Sequence, residues 1–478
     1  MIMLLFYPCI LILIMENRKV FLVASAALMN AVTVGIASTY SSAATENMKN
    51  GKLNPSDVEV SWIGSILPLG AILGGLIAGY LSDRIGRKGV MLYQSLILVL
   101  GWLFIAYAPN LMFVYIGRFM TGICCGLICV VTPMYVIEIS TAEMRGNLGS
   151  RFQLFICKGI IISSILGVFL PWQWFAIAGA VVGVSALLCV LFIPESPRWL
   201  VLQNKQSEAV EAVNFLYGST GASSVNQLVS ESLNIESSSI ALHEILHPTF
   251  YKPAFLSIIL MIFQQFSGSN AILYYTVSIF KQAGSFINPV FSNLLVAVAM
   301  YIFTLIATFS MDVIGRKKAL YLSGMVTAIS LSAMSVYLLV SSHDNKFKSN
   351  FSFMPLVCLI IYIAGFSLGL GPIPWLMMSE MSPVRGRGII CGLGTAFSWF
   401  FAFIVTKTFL QIEDLVGNIG AYWIYSGFCL CVCFFASFFL PETKGRTLEE
   451  IENHFAGGES RLQRLQELSN ERYSDLEG

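Results

Sequence analysis

Charge is what this chain has least of. Only 12% of its 478 residues are Asp, Glu, Lys or Arg, while 56% are hydrophobic; an ordinary soluble domain carries about 25% charge. That balance excludes a water-soluble globule and requires a chain solvated by lipid. The net charge of +1 offers no basic surface, so no nucleic-acid partner is expected. Histidine is scarce too: all four, His243, His247, His343 and His454, lie outside the long apolar runs. This argues against a histidine proton relay or metal centre in the membrane. The eleven cysteines sit in apolar runs rather than polar loops, so no disulfide framework is expected. Cys429, Cys431 and Cys433 alternate on an apolar helix without acidic or histidine neighbours, so no metal and no cofactor is expected there.

What the chain has in abundance is runs long enough to span a bilayer, about 20 apolar residues each. They lie near 20–42, 60–81, 90–107, 112–136, 150–170 and 174–193, then near 253–280, 289–311, 319–340, 353–378, 388–409 and 421–440. The fold class expected is an all-α membrane protein of twelve transmembrane helices. Loops on one side hold Arg84, Arg87, Lys88, Arg145, Arg151, Arg316, Lys317, Lys318, Arg385 and Arg387; the other side holds Lys49, Lys52, Lys281, Lys346, Lys348 and Lys407. The richer side is expected to be cytoplasmic, which puts both termini inside. The sequon Asn350-Phe351-Ser352 then falls on an outer loop.

The two sets of six repeat each other. "SDRIGRK" (Ser82 to Lys88) returns as "MDVIGRK" (Met311 to Lys317), and "PESPR" after the sixth span returns as "PETKGR" after the twelfth. Glu138 precedes Arg145 by the same seven residues that separate Glu380 from Arg387. A six-helix unit has been duplicated in parallel, a pattern that places a substrate site near the midplane between two bundles. The expected layout is a cytoplasmic N-terminus at 1–19, a six-helix bundle at 20–193, a cytoplasmic helical linker at 194–252, a second bundle at 253–440 and a cytoplasmic tail at 441–478. Residues 1–14 are apolar but too short to span and lack a basic start, and Met15 heads the more natural beginning "MENRK". In the linker, "SEAVEAVNFLYG" predicts a helix with Ser207 as N-cap and Gly218 as stop.

Within the seventh span, "FQQFSGSNAILYY" (Phe263 to Tyr275) carries amides, hydroxyls and phenols but no charge. Amides donate and accept hydrogen bonds, and they cost less in lipid than charges do. On an ideal helix Asn270 and Tyr274 share a face, with Gln264 about 120° away, and Ser267-Gly268 is a candidate break. "GLGPIPW" puts Gly369, Gly371, Pro372 and Pro374 close together in the tenth span, enough to deform it. Lys158 stands out as a charge deep in a span, about 140° from Gln153.

Taken together, "DRIGRK", "PMYVIEIS" followed by "RG", "PESPRWL", "QQFSGSNAILYY", "GPIPW" and "PETKGRT" resemble the sugar-porter branch of the major facilitator superfamily. "GPIPWLMMSE" and "FIVTKTF" are most similar to animal facilitated glucose and trehalose carriers, especially those of insects. The resemblance implies a plasma-membrane carrier, not an enzyme, whose partners are a small-molecule sugar and the lipid bilayer. It implies a sugar site built from Gln153, Gln264, Gln265, Asn270, Tyr274, Trp375 and Trp399, with Pro372 and Pro374 at a bending gate. It also implies that Asp83, Arg87, Glu138, Arg145, Asp312, Arg316, Glu380 and Arg387 form salt bridges between the bundles that close the inner side in the outward-facing state. Departures from the family pattern, Ser367 and Leu370 near the tenth-span motif and Ser398 before Trp399, leave hexose and trehalose both open.

Three rivals stand beside facilitated diffusion. Related proton symporters carry an acid in the first span, and Val20 to Ala44 contains none. A non-transporting sugar sensor would share the site. "HEILH" (His243 to His247) matches the zinc-protease pattern, but it lies in the linker with Pro248 immediately after it.

Overall fold

The structure is a computed structural model that describes residues 18–51, 53–140, 145–218, 247–283, 287–382, 387–444, 451, 454 and 455. Side chains of 145–147, 150, 309–313, 379 and 387–389 fall outside that description. The first half contains α1 (Arg18–Lys49), α2 (Asp57–Ile85), α3 (Arg87–Ala106), α4 (Leu111–Glu138), α5 (Arg145–Phe169) and α6 (Trp172–Leu191). Short helices α7 (Pro197–Leu202) and α8 (Gln206–Tyr217) follow. The second half contains α9 (Pro248–Phe266), α10 (Ser269–Ala283), α11 (Pro289–Ile314), α12 (Arg316–His343), α13 (Asn345–Asn350), α14 (Met354–Leu368), α15 (Ile373–Met381) and α16 (Arg387–Phe438).

Helix starts follow local chemistry. Ser56 and Glu59 form a reciprocal capping box at α2, and Asn110 caps α4 through Met112 and Phe113. At α8 the structure corrects the expected start: the helix opens at Gln206 with Lys205 in the cap position, and Gly218 ends it at φ 85°. The seventh and tenth spans are each two helices, α9 with α10 and α14 with α15. The eleventh and twelfth spans lie within α16, which is two helices meeting at Gly417, whose φ of 71° and ψ of 164° are not helical. Among the described residues there are thus eleven apolar segments of spanning length, the last long enough for two crossings, which gives twelve.

Small residues set how closely the helices approach. Gly70 and Gly74 of α2 face Gly122 and Gly126 of α4, and a Cβ at any of the four would overlap the opposing backbone. This is the small-xxx-small packing that lets helices associate in lipid, where burial of apolar surface contributes little. Phe169, Phe192, Ile329, Phe434 and Phe438 lie exposed on the outside, an apolar belt that only lipid solvates well.

Candidate functional site

Two helix breaks meet at the centre of the second bundle. Between α9 and α10, Gly268 adopts φ +87°, and a Cβ there would stand 3.0 Å from the Tyr425 ring. Both the backbone and the space therefore demand glycine. Between α14 and α15, the two prolines withhold amide donors, and the Gly371 N–H turns back to the Phe366 carbonyl at 2.8 Å. Carbonyls freed by this break need new donors. Gln264 supplies them: its Nε2 donates to the Leu370 and Gly371 oxygens at 2.9 and 2.7 Å. In return, the Tyr362 hydroxyl of α14 donates to the Ser267 carbonyl at 3.0 Å. The breaks hold each other.

A string of neutral groups extends from this joint. Asn270 Nδ2 donates to Gln265 Oε1 at 2.6 Å, and Gln265 Nε2 donates to the Ser398 hydroxyl at 2.9 Å. A second string crosses between the bundles, from Gln153 to the Cys157 sulfur (3.9 Å), on to Thr304 (3.6 Å) and to Ser367 (3.3 Å). Gln264 Oε1 is buried and has no protein partner, as is the indole nitrogen of Trp399. Tyr274 is fully buried against Gly64 of α2, Trp399 packs with the first bundle's core, and Trp375 packs on Met261, Met378 and Ile390. The structure thus joins Gln265 and Asn270 directly, holds Gln264 on the carbonyls of the broken tenth span, links Gln153 through Cys157 to Thr304 and Ser367, and places Trp375 in a separate apolar cluster. Because the helix breaks at Ser267, the angle between Gln264 and Asn270 on an ideal helix does not apply. Cys157 and Thr304 are the additions that the structure makes, small polar residues inside apolar runs being their only signal, while Ser367 and Ser398, departures from the family pattern, each belong to one of the two strings.

The charged motifs gather at one end of the molecule, the motif end. Arg87 binds Glu138 at 2.9 Å and Asp83 at 3.4 Å, while Glu195 accepts the Arg87 and Lys88 amides that open α3, each at 3.0 Å. Ser196 completes the group with a hydroxyl on Glu138. The second half repeats this arrangement: Arg316 binds Glu380 at 3.1 Å, Glu442 accepts the Arg316 and Lys317 amides at 3.0 and 3.1 Å, and Thr443 donates to Glu380. The expected bridges between bundles belong to the state with this end closed, and in the present state the described pairs are arranged otherwise. These pairs lie within a bundle, not between bundles, since each arginine opens a helix of the same six that supplies its carboxylate. The side chains of Arg145, Asp312 and Arg387 lie outside the described residues.

At the opposite, far end the polar contacts cross. Glu46 of α1 accepts from Ser278 at 3.1 Å and Lys281 at 2.9 Å, both on α10. Lys407 of α16 donates to Ser61 of α2 at 2.7 Å and lies 4.0 Å over the Trp62 ring. Asn293 of α11 reaches Ser164 of α5 at 3.2 Å. Between the ends, α2 and α16 diverge. A Cβ at Gly75 would stand 3.6 Å from Thr395 and 3.9 Å from the Ala396 nitrogen, whereas one at Gly79, one turn nearer the motif end on the same face, would meet nothing within 4 Å. A Cβ at Gly392, one turn before Ala396, would likewise stand in open space. The gap between the bundles is therefore closed at the far end and open at the motif end.

The deeply buried charge is not Lys158, which is exposed and sits 4.1 Å over the Phe155 ring. It is Arg118 of α4, fully buried, whose guanidinium donates to the Ile63 and Ala37 carbonyls at 3.2 and 2.5 Å. An arginine inside the run at 112–136 was the signal for it. Of "HEILH", His243 to Leu246 lie outside the described residues, and His247 caps α9 by accepting from the Thr249 amide.

Comparison with known proteins follows the same lines. The family described as "Sugar (and other) transporter" matches residues 9–455. The facilitated trehalose transporter of Apis mellifera ligustica is 37% identical over 93% of this chain and 89% of its own length. The facilitated glucose transporter member 8 of solute carrier family 2 from Mus musculus is 35% identical over 92% of this chain and 95% of its own. Among solved structures, the xylose transporter of E. coli superposes with a TM-score of 0.76 at 22% identity, over 90% of this chain and all of that one, a likeness of fold.

Proposed function

The chain belongs to the sugar transporter family, and from that premise we propose that it carries a neutral sugar, a hexose or trehalose, passively across a membrane by alternating access between its two bundles. The observation that carries this reading is the set of uncharged groups at the two helix breaks, Gln264, Gln265, Asn270 and Ser398, with Gln153 of the first bundle linked through Cys157 to Thr304 of the second. Sugar hydroxyls both donate and accept, as these amides do. Gln264 Oε1, buried without a protein partner, is the acceptor left open for one of them. Trp399, whose buried indole nitrogen has no protein partner, lies beside Ser398 at this site, and the prolines 372 and 374 keep the tenth span unable to straighten. The motif end is the cytoplasmic end, and the membrane is the plasma membrane.

Passive transport follows from what surrounds Arg118. A proton carrier must bind its proton differently in the two states of the cycle. In α1 the acid is Glu46, at the far end and paired with Lys281; Arg118 donates through Nε and Nη1 to backbone carbonyls instead of a carboxylate, and its Nη2 is buried without a protein partner. In reconstituted liposomes, labelled glucose or trehalose will equilibrate without accumulating, and sugar on the opposite side will accelerate exchange. Accumulation above the outside concentration under an inward proton gradient, abolished by a protonophore, would refute uniport.

A further inference from the structure

The ends of a rocking carrier cannot both be closed at once. Here the closed end is held by charges that face each other from different bundles. α10 contributes Ser278 and Lys281, which together occupy both carboxylate oxygens of Glu46 on α1. α16 contributes Lys407, whose ammonium is shared between the Ser61 hydroxyl and the Trp62 ring on α2. Both sets bridge the moving bodies, so both must part when the far end opens. We propose that Glu46 with Lys281, and Lys407 with Ser61 and Trp62, form a two-point latch whose strength sets how much of the protein rests with its site open to the motif end. The proposal rests on the reading of this chain as a two-bundle rocking carrier.

The physical case is one of differential contact. A contact shifts a two-state equilibrium only if one state has it and the other lacks it. The divergence between Gly75 and Gly79 identifies the present state as open at the motif end, and the latch contacts exist in this state. Their exposure limits their strength: Lys281 is 66% exposed and Glu46 16%. An ion pair and a cation–π contact in such settings each move an equilibrium by about two- to fivefold. That is enough to bias a carrier and too little to lock it. α10 suits this role because the break at Gly268 frees it from the line of α9, so the latch holds a half-helix that is jointed at the substrate site.

Two readouts test the latch on the full-length protein. In detergent, where both faces are reachable, a cysteine at Gly392 sits in open space in the present state and will react with a polar maleimide, with the unsubstituted protein as blank. Adding E46Q or K407M will slow that labelling by about two- to fivefold, because the motif end will be open less often. The exchanged pair E46K with K281E will restore it. In liposomes the same variants will lower the half-saturating sugar concentration at the far face and raise it at the motif face, while Vmax/KM stays equal in the two directions, as a passive carrier requires. Unchanged labelling in both single variants would overturn the latch. An exchanged pair as slow as E46Q would also overturn it, since it would show local damage rather than lost attraction. If the wild type carries no sugar yet the labelling shifts, the latch stands and the sugar reading falls.

Discussion

The two ends of the molecule use the same residue types in opposite ways. At the motif end, arginines and glutamates pair inside each bundle and are tied to helix N-termini by Glu195 and Glu442. At the far end, glutamate and lysine pair from one bundle to the other. Charges wired within a body stiffen it and move with it. Charges wired between bodies resist their motion. In this state, then, the described pairs at one end hold the shape of each half, while those at the other tie the two halves together.

The largest way to break this contrast is at the motif end of the first half. Arg87 and Glu138 are 7% and 9% exposed, against 13% and 21% for Arg316 and Glu380. Removing one partner of a buried pair strands the other charge, at a cost of about 3–5 kcal/mol. Glu138→Ala will therefore lower the thermal midpoint in detergent more than Glu380→Ala does. Equal shifts would show that the two halves are not stiffened differently and that water reaches both pairs alike.

A smaller effect is expected at the joint between the ends. Gln264→Ala removes the donor that satisfies the Leu370 and Gly371 carbonyls, and leaving such groups unpaired costs about 1–3 kcal/mol. The variant will lose stability as well as sugar affinity, whereas Asn270→Ala will lose affinity with less change in midpoint. A Gln264→Ala protein of unaltered midpoint would mean that the amide serves substrate alone.

Much of this was legible in sequence because the relevant signals are local or repeated. Run length determined the spans, and three motifs in the same order disclosed the duplication. Gly268 and the prolines 372 and 374 marked breaks that the structure contains. What escaped depends on contact across space. Glu138 is spaced to suggest a partner but not which body holds it, and Gln264 reads as a free amide until the broken tenth span lies beside it. Arg118 was hidden because a single arginine scarcely alters the mean hydropathy of its run. The latch was hidden for a related reason: Glu46, Lys281 and Lys407 sit in separate segments and resemble loop charges until the fold brings them together.

The smallest expected effect sharpens the comparison through pH. Glu413, in the far-end connection between the eleventh and twelfth spans, is 8% exposed; burial first, and Asp414 second, push its carboxyl up to about 7, against a partial offset from Gln282. At the motif end Glu442 goes the other way. Burial would raise it, but the amides of Lys444, Arg316 and Lys317, with the Arg316 charge, hold it below its ordinary value. An unfolded glutamate titrates near 4.5. As pH rises from about 4.5 to about 7, folding must take up a proton at Glu413, so stability falls across that window and stays lower above it. Glu442 contributes stability above about 4.5 that is lost as pH drops through its depressed pKa. Glu413→Gln will therefore raise the melting midpoint at pH 8, an effect of about 1–2 kcal/mol once residual solvent is allowed for, and leave it unchanged at pH 4.5. Glu442→Gln will lower the midpoint at pH 8, and its deficit will shrink on acidification below pH 4.5. Parallel pH profiles for the two variants would contradict the assignment of opposite electrostatic roles to the two ends.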